Sequence, residues 1–294
     1  MKKFFSGKKG LLCLAGGFLV VGLLIPDVIK SNAASADDFK LEYQVKFLLD
    51  SDKVLDNDNE LKEDYQEILG TDDDFDRAKV AYLETKNRDF NNQGWLNRIR
   101  KKENKKNIEM AYKKRYAISG TDIRASEKEA IQDGFDPDDE DLSVGVDWGY
   151  SKMTLTMEYE AKVDKTGEGN SSIPGLNKSI SYAKENMPKI ENQWGGKRDW
   201  GKKTVSMAQY AGPVSYKRYE GDYKGMELTV EIWPVENQST KKVSFITEAS
   251  FKTKDYNEAK KLRKQLTKAL DQEKILLHED ALKTRTVLDA YIGK

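Results

Sequence analysis

The stretch Val80–Tyr116 constrains this chain more than any other. Its residues VAYLETKNRDFNNQGWLNRIRKKENKKNIEMAYKKRY divide into three expected strands at 80–86, 95–102 and 107–116. Asn91, Asn92 and Gly94 punctuate the first connection, and Glu103–Lys106 form a short hairpin loop. Side chains alternate faces along a strand. Arg98 and Arg100 therefore point the same way, with Lys102 beside them. In the next strand Ile108, Met110 and Tyr112 share one face, and Glu109, Ala111, Lys113 and Arg115 share the other. Two neighbouring strands thus bring several cations to one surface.

Any cationic site must be local, because the 294-residue chain carries 50 basic and 50 acidic residues. A balanced charge gives no reason to expect a nucleic-acid partner. With 34% charged residues and well-represented aromatics the composition suits a folded globular protein, and the length allows one large domain with a real core. The one cysteine, Cys13, and the one histidine, His278, exclude Cys–His catalysis and zinc sites built from several Cys or His. A Ser-His-Asp triad is possible only through His278, which follows Leu276-Leu277 and reads as a surface or helix-capping residue.

The first 36 residues read as a signal peptide. Lys2, Lys3, Lys8 and Lys9 precede the apolar run Leu11–Ile25, and Ala34-Ser35-Ala36 forms a small-x-small cleavage site. The run is short for a bilayer span, which needs about 20 residues. Cys13 lies too early to be a lipid-attachment cysteine and reads as an ordinary signal residue. The expectation is a secreted or extracytoplasmic chain, residues 37–294, with no membrane anchor after cleavage. Its oligomeric state is not legible. Removing the segment takes away five lysines, one aspartate and the cysteine, so the remainder is weakly acidic and has no disulfide.

Residues 39–49 open the expected domain with Leu41, Tyr43, Val45 and Phe47 on one face and Glu42, Gln44 and Lys46 on the other. A helix is expected at 57–69, ended by Gly70, and the acidic run Asp72–Asp74 with Asp76 reads as a solvated loop. A short helix follows at 126–132, then an acidic loop at 133–141 that lacks the regular spacing of a calcium site. In 153–163, Leu155, Met157, Tyr159 and Ala161 oppose Thr156, Glu158, Glu160 and Lys162. Residues 164–205 read as an inserted excursion with a helix near 177–186. Further strands are expected at 214–220, 226–233 and 243–252. A helix from Tyr256 to about Glu273 has Asp255 and Glu258 as its capping box and Ala259, Leu262, Leu266 and Leu270 as its apolar stripe. One more short element is expected at 280–291.

About eight antiparallel strands result, most with one apolar and one charged face. Two architectures satisfy that pattern. One is an ordinary sheet with a wet side. The other curls the sheet until the charged faces look inward, giving a polar channel clothed by helices. Parity alone does not choose between them.

Several motifs together resemble the CYTH family, the triphosphate tunnel metalloenzymes. Glu42-x-Gln44-x-Lys46 is similar to that family's ExExK strand, and Tyr82-Leu83-Glu84-Thr85 to its Tyr-Phe-Asp-Thr strand. Gly94-Trp95-Leu96-Asn97-Arg98-Ile99-Arg100 resembles its G-x-x-x-R-x-R strand, and Glu109–Arg115 the next strand with its phosphate-binding lysine. Gly212-Pro213 with Lys217-Arg218, Glu231-x-Trp233, and Thr247-Glu248-Ala249-Ser250 follow in the family's order. The likeness covers most of 39–291, with enlargements near 119–150 and 164–205. It departs at Gln44, where a second glutamate is usual, and at Ser250, where an acidic residue often follows.

The resemblance implies a mainly β (α+β) fold, an eight-stranded antiparallel tunnel with flanking helices that binds a triphosphate or polyphosphate with Mg2+ or Mn2+. It implies phosphate contacts from Arg98, Arg100, Lys113 and either Lys217 or Arg218, with Lys46 at one end. Those types suit the chemistry, since arginine's planar fork matches phosphate oxygens. It implies metal ligands at Glu42 and Glu248, with Glu231, Glu158 and Glu160 behind them, and a catalytic set of Glu42, Lys46 and Glu248. Other readings stay open. Arg98 and Arg100 also suit a solvated face, and Glu158 and Glu160 suit cross-strand ion pairs. Trp95, Trp148 and Trp233 read as core or rim packing. The expected function is metal-dependent hydrolysis of a triphosphate or polyphosphate. The alternative is a non-catalytic secreted module that binds phosphate-rich polyanions in the same tunnel, and a third reading is a cell-surface scaffold without a phosphate site.

Overall fold

The chain was analysed as a computed structural model, which describes residues 39–164, 172–280 and 283–293. The expected signal peptide lies outside them. Among the described residues no helix is long and apolar enough to cross a membrane.

In chain order the elements begin with β1 (Leu41–Leu49), α1 (Ser51–Val54), α2 (Glu63–Leu69), β2 (Thr71–Glu84), α3 (Asp89–Asn92), β3 (Trp95–Lys102), β4 (Asn107–Ile118), α4 (Ile123–Gln132), β5 (Leu142–Trp148) and β6 (Met153–Asp164). The excursion follows as α5 (Leu176–Asn186), α6 (Lys189–Asn192) and α7 (Trp200–Val205). The chain ends with β7 (Gln209–Tyr223), β8 (Met226–Glu236), β9 (Val243–Thr253), α8 (Tyr256–Gln272) and α9 (Lys283–Tyr291).

The strands close into a ring in the order β1-β5-β6-β4-β3-β2-β7-β8-β9. Strand β9 returns antiparallel to β1, with Lys46 opposite Ser250. The sheet is mainly antiparallel, as expected, but it has nine strands rather than eight. The additional one is β5, which pairs parallel with β1 and antiparallel with β6. Its seven residues LSVGVDW carry a glycine and follow an acidic loop, so its periodicity is too short to stand out.

Two other expectations change. The acidic run belongs to β2, where Phe75 pairs with Tyr219 and Asp76 with Arg218 across a register shift from Thr71. Pairing with β7 overrides the poor strand propensity of three successive aspartates. The expected helix at 57–69 is only its last two turns, because the chain before Glu63 makes turns and a bridge between Leu55 and Leu61. It ends at Gly70 (φ 67°), where a Cβ would lie 2.1 Å from the carbonyl oxygen of Asp222, so only glycine suits the position.

The outer wall is apolar. Val45, Phe47, Ile99, Tyr112, Leu155 and Met157 are buried there and belong to one core with Ala259, Leu262, Leu266 and Leu270 of α8. Asp255 caps α8 as expected, accepting from the Glu258 amide at 2.8 Å. The inward faces therefore carry the alternate residues of each strand.

Candidate anion-binding tunnel

The inward positions of the nine strands surround a cavity of about 730 Å³. Gln44, Lys46, Arg98, Arg100, Lys113, Arg115, Asp147, Glu158 and Glu160 are among the residues that line it. Alternation explains the set: Arg98 and Arg100 project inward while Trp95, Asn97 and Ile99 are buried in the outer wall. Arg98 pairs in register with Ala111, and Lys113 with Leu96, so the cations of β3 and β4 are near neighbours.

Acidic side chains partner these cations. Arg98 Nη2 lies 3.5 Å from Glu158 and 3.2 Å from Glu160. Arg100 meets Glu109 at 2.5 Å, and Lys102 meets the same carboxylate at 3.3 Å. Lys113 reaches Glu158 at 2.6 Å, and Lys46 reaches Asp147 at 2.6 Å. Two buried nitrogen positions, Nε of Arg98 and Nε of Arg115, make no hydrogen bond. Unpartnered buried donors of this kind are uncommon in folded proteins.

Burial and proximity shift the protonation of these groups. Burial pushes the Lys113 ammonium down to about 7, and the Arg98 charge adds to it, against the opposing pull of Glu158. Burial alone would raise Glu158, but Lys113 and then Arg98 hold it down to about 2. Asp147, likewise disfavoured by burial, is held well below the carboxylate range by Lys46 and Arg115. Asp147 is an interior carboxylate that sequence reasoning missed, because it rides on the unrecognised β5.

The remaining expected residues divide. Arg218 lines the tunnel and is 3.1 Å from Glu220 and 3.7 Å from Glu227. Its neighbour Lys217 takes the opposite parity, leaving the tunnel to pair with Glu60 at 2.7 Å and to lie over Phe75. Glu42 stands apart from Glu248 and pairs with Lys252 at 2.7 Å. Glu248 opposes Leu48 on β1, six residues beyond Glu42, which is roughly 20 Å at about 3.3 Å per residue. Glu231 and Glu248 are direct cross-strand partners. His278 is exposed, bonded to Asp271 at 2.6 Å and stacked on Tyr150.

One end of the tunnel is apolar. Val80, Tyr82, Leu96, Tyr216 and Trp233 form a second core with Val287 and Leu288 of α9. Tyr216 stacks on Trp233 with ring centroids 4.5 Å apart. Helix α9 thereby closes this end, and Arg88 holds it through Asp289 at 2.6 Å.

Helix α9 also delivers Lys283 to the acidic pair. Its ammonium contacts Glu231 and lies 2.8 Å from Glu248 Oε1, while Glu231 Oε2 accepts from Trp233 Nε1 at 3.0 Å. Burial alone would lower Lys283, but the two carboxylates, Glu231 first, raise it. Mg2+ or Mn2+ needs carboxylate oxygens that are free to coordinate. Of the five expected ligands, Glu42 is too distant from Glu248, Glu231 and Glu248 already hold an ammonium, and Glu158 and Glu160 are paired with Lys113 and Arg98. Among the described residues no group of three or more His, Cys, Asp or Glu side chains is placed to hold a metal ion. The donor set does not fit the implied metal in this arrangement.

No family model matches the sequence, and no curated protein matches it. Solved structures similar to it include a Hippeastrum protein named as an adenylyl cyclase, with a dominant triphosphatase activity. That match has 12% identity and a TM-score of 0.48, covering 83% of this chain and 93% of that one. A Bacillus halodurans protein named as an adenylate cyclase matches at 13% identity and a TM-score of 0.42, over 84% of this chain and 96% of that one. The PH1012 protein of Pyrococcus horikoshii matches at 14% identity and 0.38, over 85% and 97%. Identities this low leave the tunnel's own residues to carry the chemistry.

Proposed function

We propose that this protein binds a triphosphate- or polyphosphate-type anion in its tunnel. The observation that carries the reading is the convergence of Arg98, Arg100, Lys113, Arg115 and Lys46 on one cavity. A linear anion with several phosphoryl groups offers oxygens to each of these donors at once. Charge-assisted bonds from arginine to phosphate are the strong class. The interior carboxylates neutralise the cations while the tunnel is empty. A phosphate ligand would take Arg98 and Lys113 over from Glu158 and Glu160, so binding trades one set of ion pairs for another and should weaken with salt.

Binding is the function the geometry supports best. Hydrolysis, the second reading, is favoured by the place of Lys113, a half-buried tunnel lysine 2.6 Å from Glu158 whose ammonium burial lowers to about 7, so that it can exchange a proton near neutral pH. An extracytoplasmic location, resting on the amino-terminal segment, belongs to the same proposal. The test is calorimetric titration with tripolyphosphate and longer polyphosphates, with phosphate release followed in parallel samples containing Mg2+, Mn2+ or chelator. Saturable binding at one site supports the reading, and phosphate release adds turnover. Absence of binding to all of these anions at low ionic strength would end it.

A further inference from the structure

We infer that the ammonium of Lys283 is the resident cation of the tunnel, occupying the Glu231–Glu248 carboxylate pair in place of a divalent metal. Four observations meet at this point. Glu231 and Glu248 are direct partners on β8 and β9, so their side chains leave adjacent strands on the same face. Glu248 is 5% exposed and Glu231 is half-buried, and two such neighbouring carboxylates without a cation repel each other. Lys283 contacts both. Its side chain also lies over the Trp233 ring, with Nζ 5.0 Å from the centroid, so an aromatic face backs the charge.

The site is built rather than incidental. The indole N–H of Trp233 fixes one oxygen of Glu231. The same ring stacks on Tyr216 in the apolar end that receives Val287 and Leu288. Lys283 begins the helix those two residues anchor, one turn upstream, so packing the helix end places the ammonium. A lysine brings a single charge and a covalent tether, so the pair is neutralised without capturing an ion from solution. The nearby hydroxyl of Ser250, in register with Thr229 at 3.0 Å, adds no charge to the pair.

Two consequences follow for the intact protein. The free protein takes up no divalent metal at this pair. Removing the ammonium leaves two neighbouring carboxylates, one buried and one half-buried, that then behave as a hard-cation site, since Mg2+ and Mn2+ favour carboxylate oxygen. Neither consequence depends on which anion the tunnel binds.

The experiment is titration of Mn2+ into the wild type, Lys283→Met and Lys283→Met/Glu231→Gln/Glu248→Gln, by calorimetry and by the shift in melting temperature. The methionine keeps the aliphatic volume and removes the charge. The expected result is no tunnel-dependent Mn2+ binding by the wild type. Lys283→Met should bind one equivalent at least about tenfold more tightly, with a melting temperature that rises on adding Mn2+, because a ligand that binds only the folded state stabilises it. The triple variant should lose that gain. Should Lys283→Met not fold, the wild type decides with Glu231→Gln/Glu248→Gln as its control. One Mn2+ bound by the wild type and lost in that control would overturn the inference. Affinity in Lys283→Met no greater than in the wild type would overturn it as well. Failure of tripolyphosphate binding would leave it standing, which separates it from the proposed function.

Discussion

The two walls of one ring of strands have opposite chemistry. On the outer wall Val45, Phe47, Ile99, Tyr112 and Met157 sit in an apolar core beneath the helices. On the inner wall, one residue along the same strands, stand Lys46, Arg98, Arg100, Lys113 and Glu158. Neither wall is uniform. The outer wall buries a carboxyl group, Glu191 of α6, bonded to Asn97 Nδ2 at 2.7 Å. The inner wall has the apolar end that α9 closes. The comparison teaches that alternation makes two faces but closure of the ring makes one of them an interior. Charges are tolerated there because they meet in pairs, whereas unpaired charge in such a place is costly.

Breaking the inner wall should have the largest effect. Replacing Arg98 and Arg100 together with alanine should lower tripolyphosphate affinity by several kcal/mol, taking roughly 1.5–3 kcal/mol for each charged contact. Fold and binding must be read separately, because Arg100→Ala leaves Glu109 with Lys102 as its remaining cation and should cost some stability as well. Adding Glu109→Gln should recover most of that stability and none of the affinity. Calorimetry and denaturant melts check the two halves. Wild-type affinity in the folded triple variant would show that these arginines do not bind the anion.

The outer wall should fail in the complementary way. Leu266 is fully buried in the stripe of α8. Leu266→Ala should destabilise the protein by about 3 kcal/mol, the usual range for such a cavity being roughly 2–5 kcal/mol. Tripolyphosphate affinity of the folded fraction should stay unchanged. A variant that keeps its stability but loses anion binding would mean that the walls are not independent.

The buried Glu191 gives a smaller, pH-dependent signature. Burial pushes its carboxyl up to about 8, and its Asn97 bond offsets only part of this. The folded state therefore holds a proton that the unfolded state releases near the ordinary carboxylate value. Its stabilising contribution is fully present below that value and is lost as pH rises toward about 8. The slope over that window should approach about 1.4 kcal/mol per pH unit. Glu191→Gln should flatten the slope. Melts from pH 5 to 8 measure it, and identical slopes in the two proteins would show that Glu191 is not protonated when folded.

Much of this architecture was legible because alternation survives in long strands. Period two put Arg98 with Arg100, and Lys113 with Arg115, on one face of their strands, while the inward direction of that face rested on the family resemblance; the stripe of α8 followed from the 3.6-residue period. What stayed hidden depended on pairing across the ring. Strand β5 is short and gains its place from β1 and β6, so Asp147 went unseen with it. The acidic start of β2 is a strand only because β7 lies beside it. Lys283 was not singled out, since nothing in its neighbourhood of sequence says that helix α9 would bring it to Glu231 and Glu248. The separation of Glu42 from Glu248 is a matter of register, which motif order does not contain.

The smallest expected effect comes from the residue that sequence reasoning could not assign to a wall. Lys217 and Arg218 are consecutive on β7, and both are cations, so composition treats them alike. Their parity does not: Arg218 lines the tunnel, and Lys217 pairs with Glu60 outside it. Lys217→Ala should cost at most about 1 kcal/mol of stability, as a partly exposed pair does, and leave tripolyphosphate affinity within about twofold. Arg218→Ala should weaken binding by more, because a positive charge lining the tunnel is lost. The effect should still be modest, since Glu220 and Glu227 already share that charge. Calorimetry on the two single variants at one ionic strength makes the comparison. If Lys217→Ala weakened binding more than Arg218→Ala, the assignment of β7 faces to inner and outer walls would be reversed, and with it the alternation on which the whole tunnel rests.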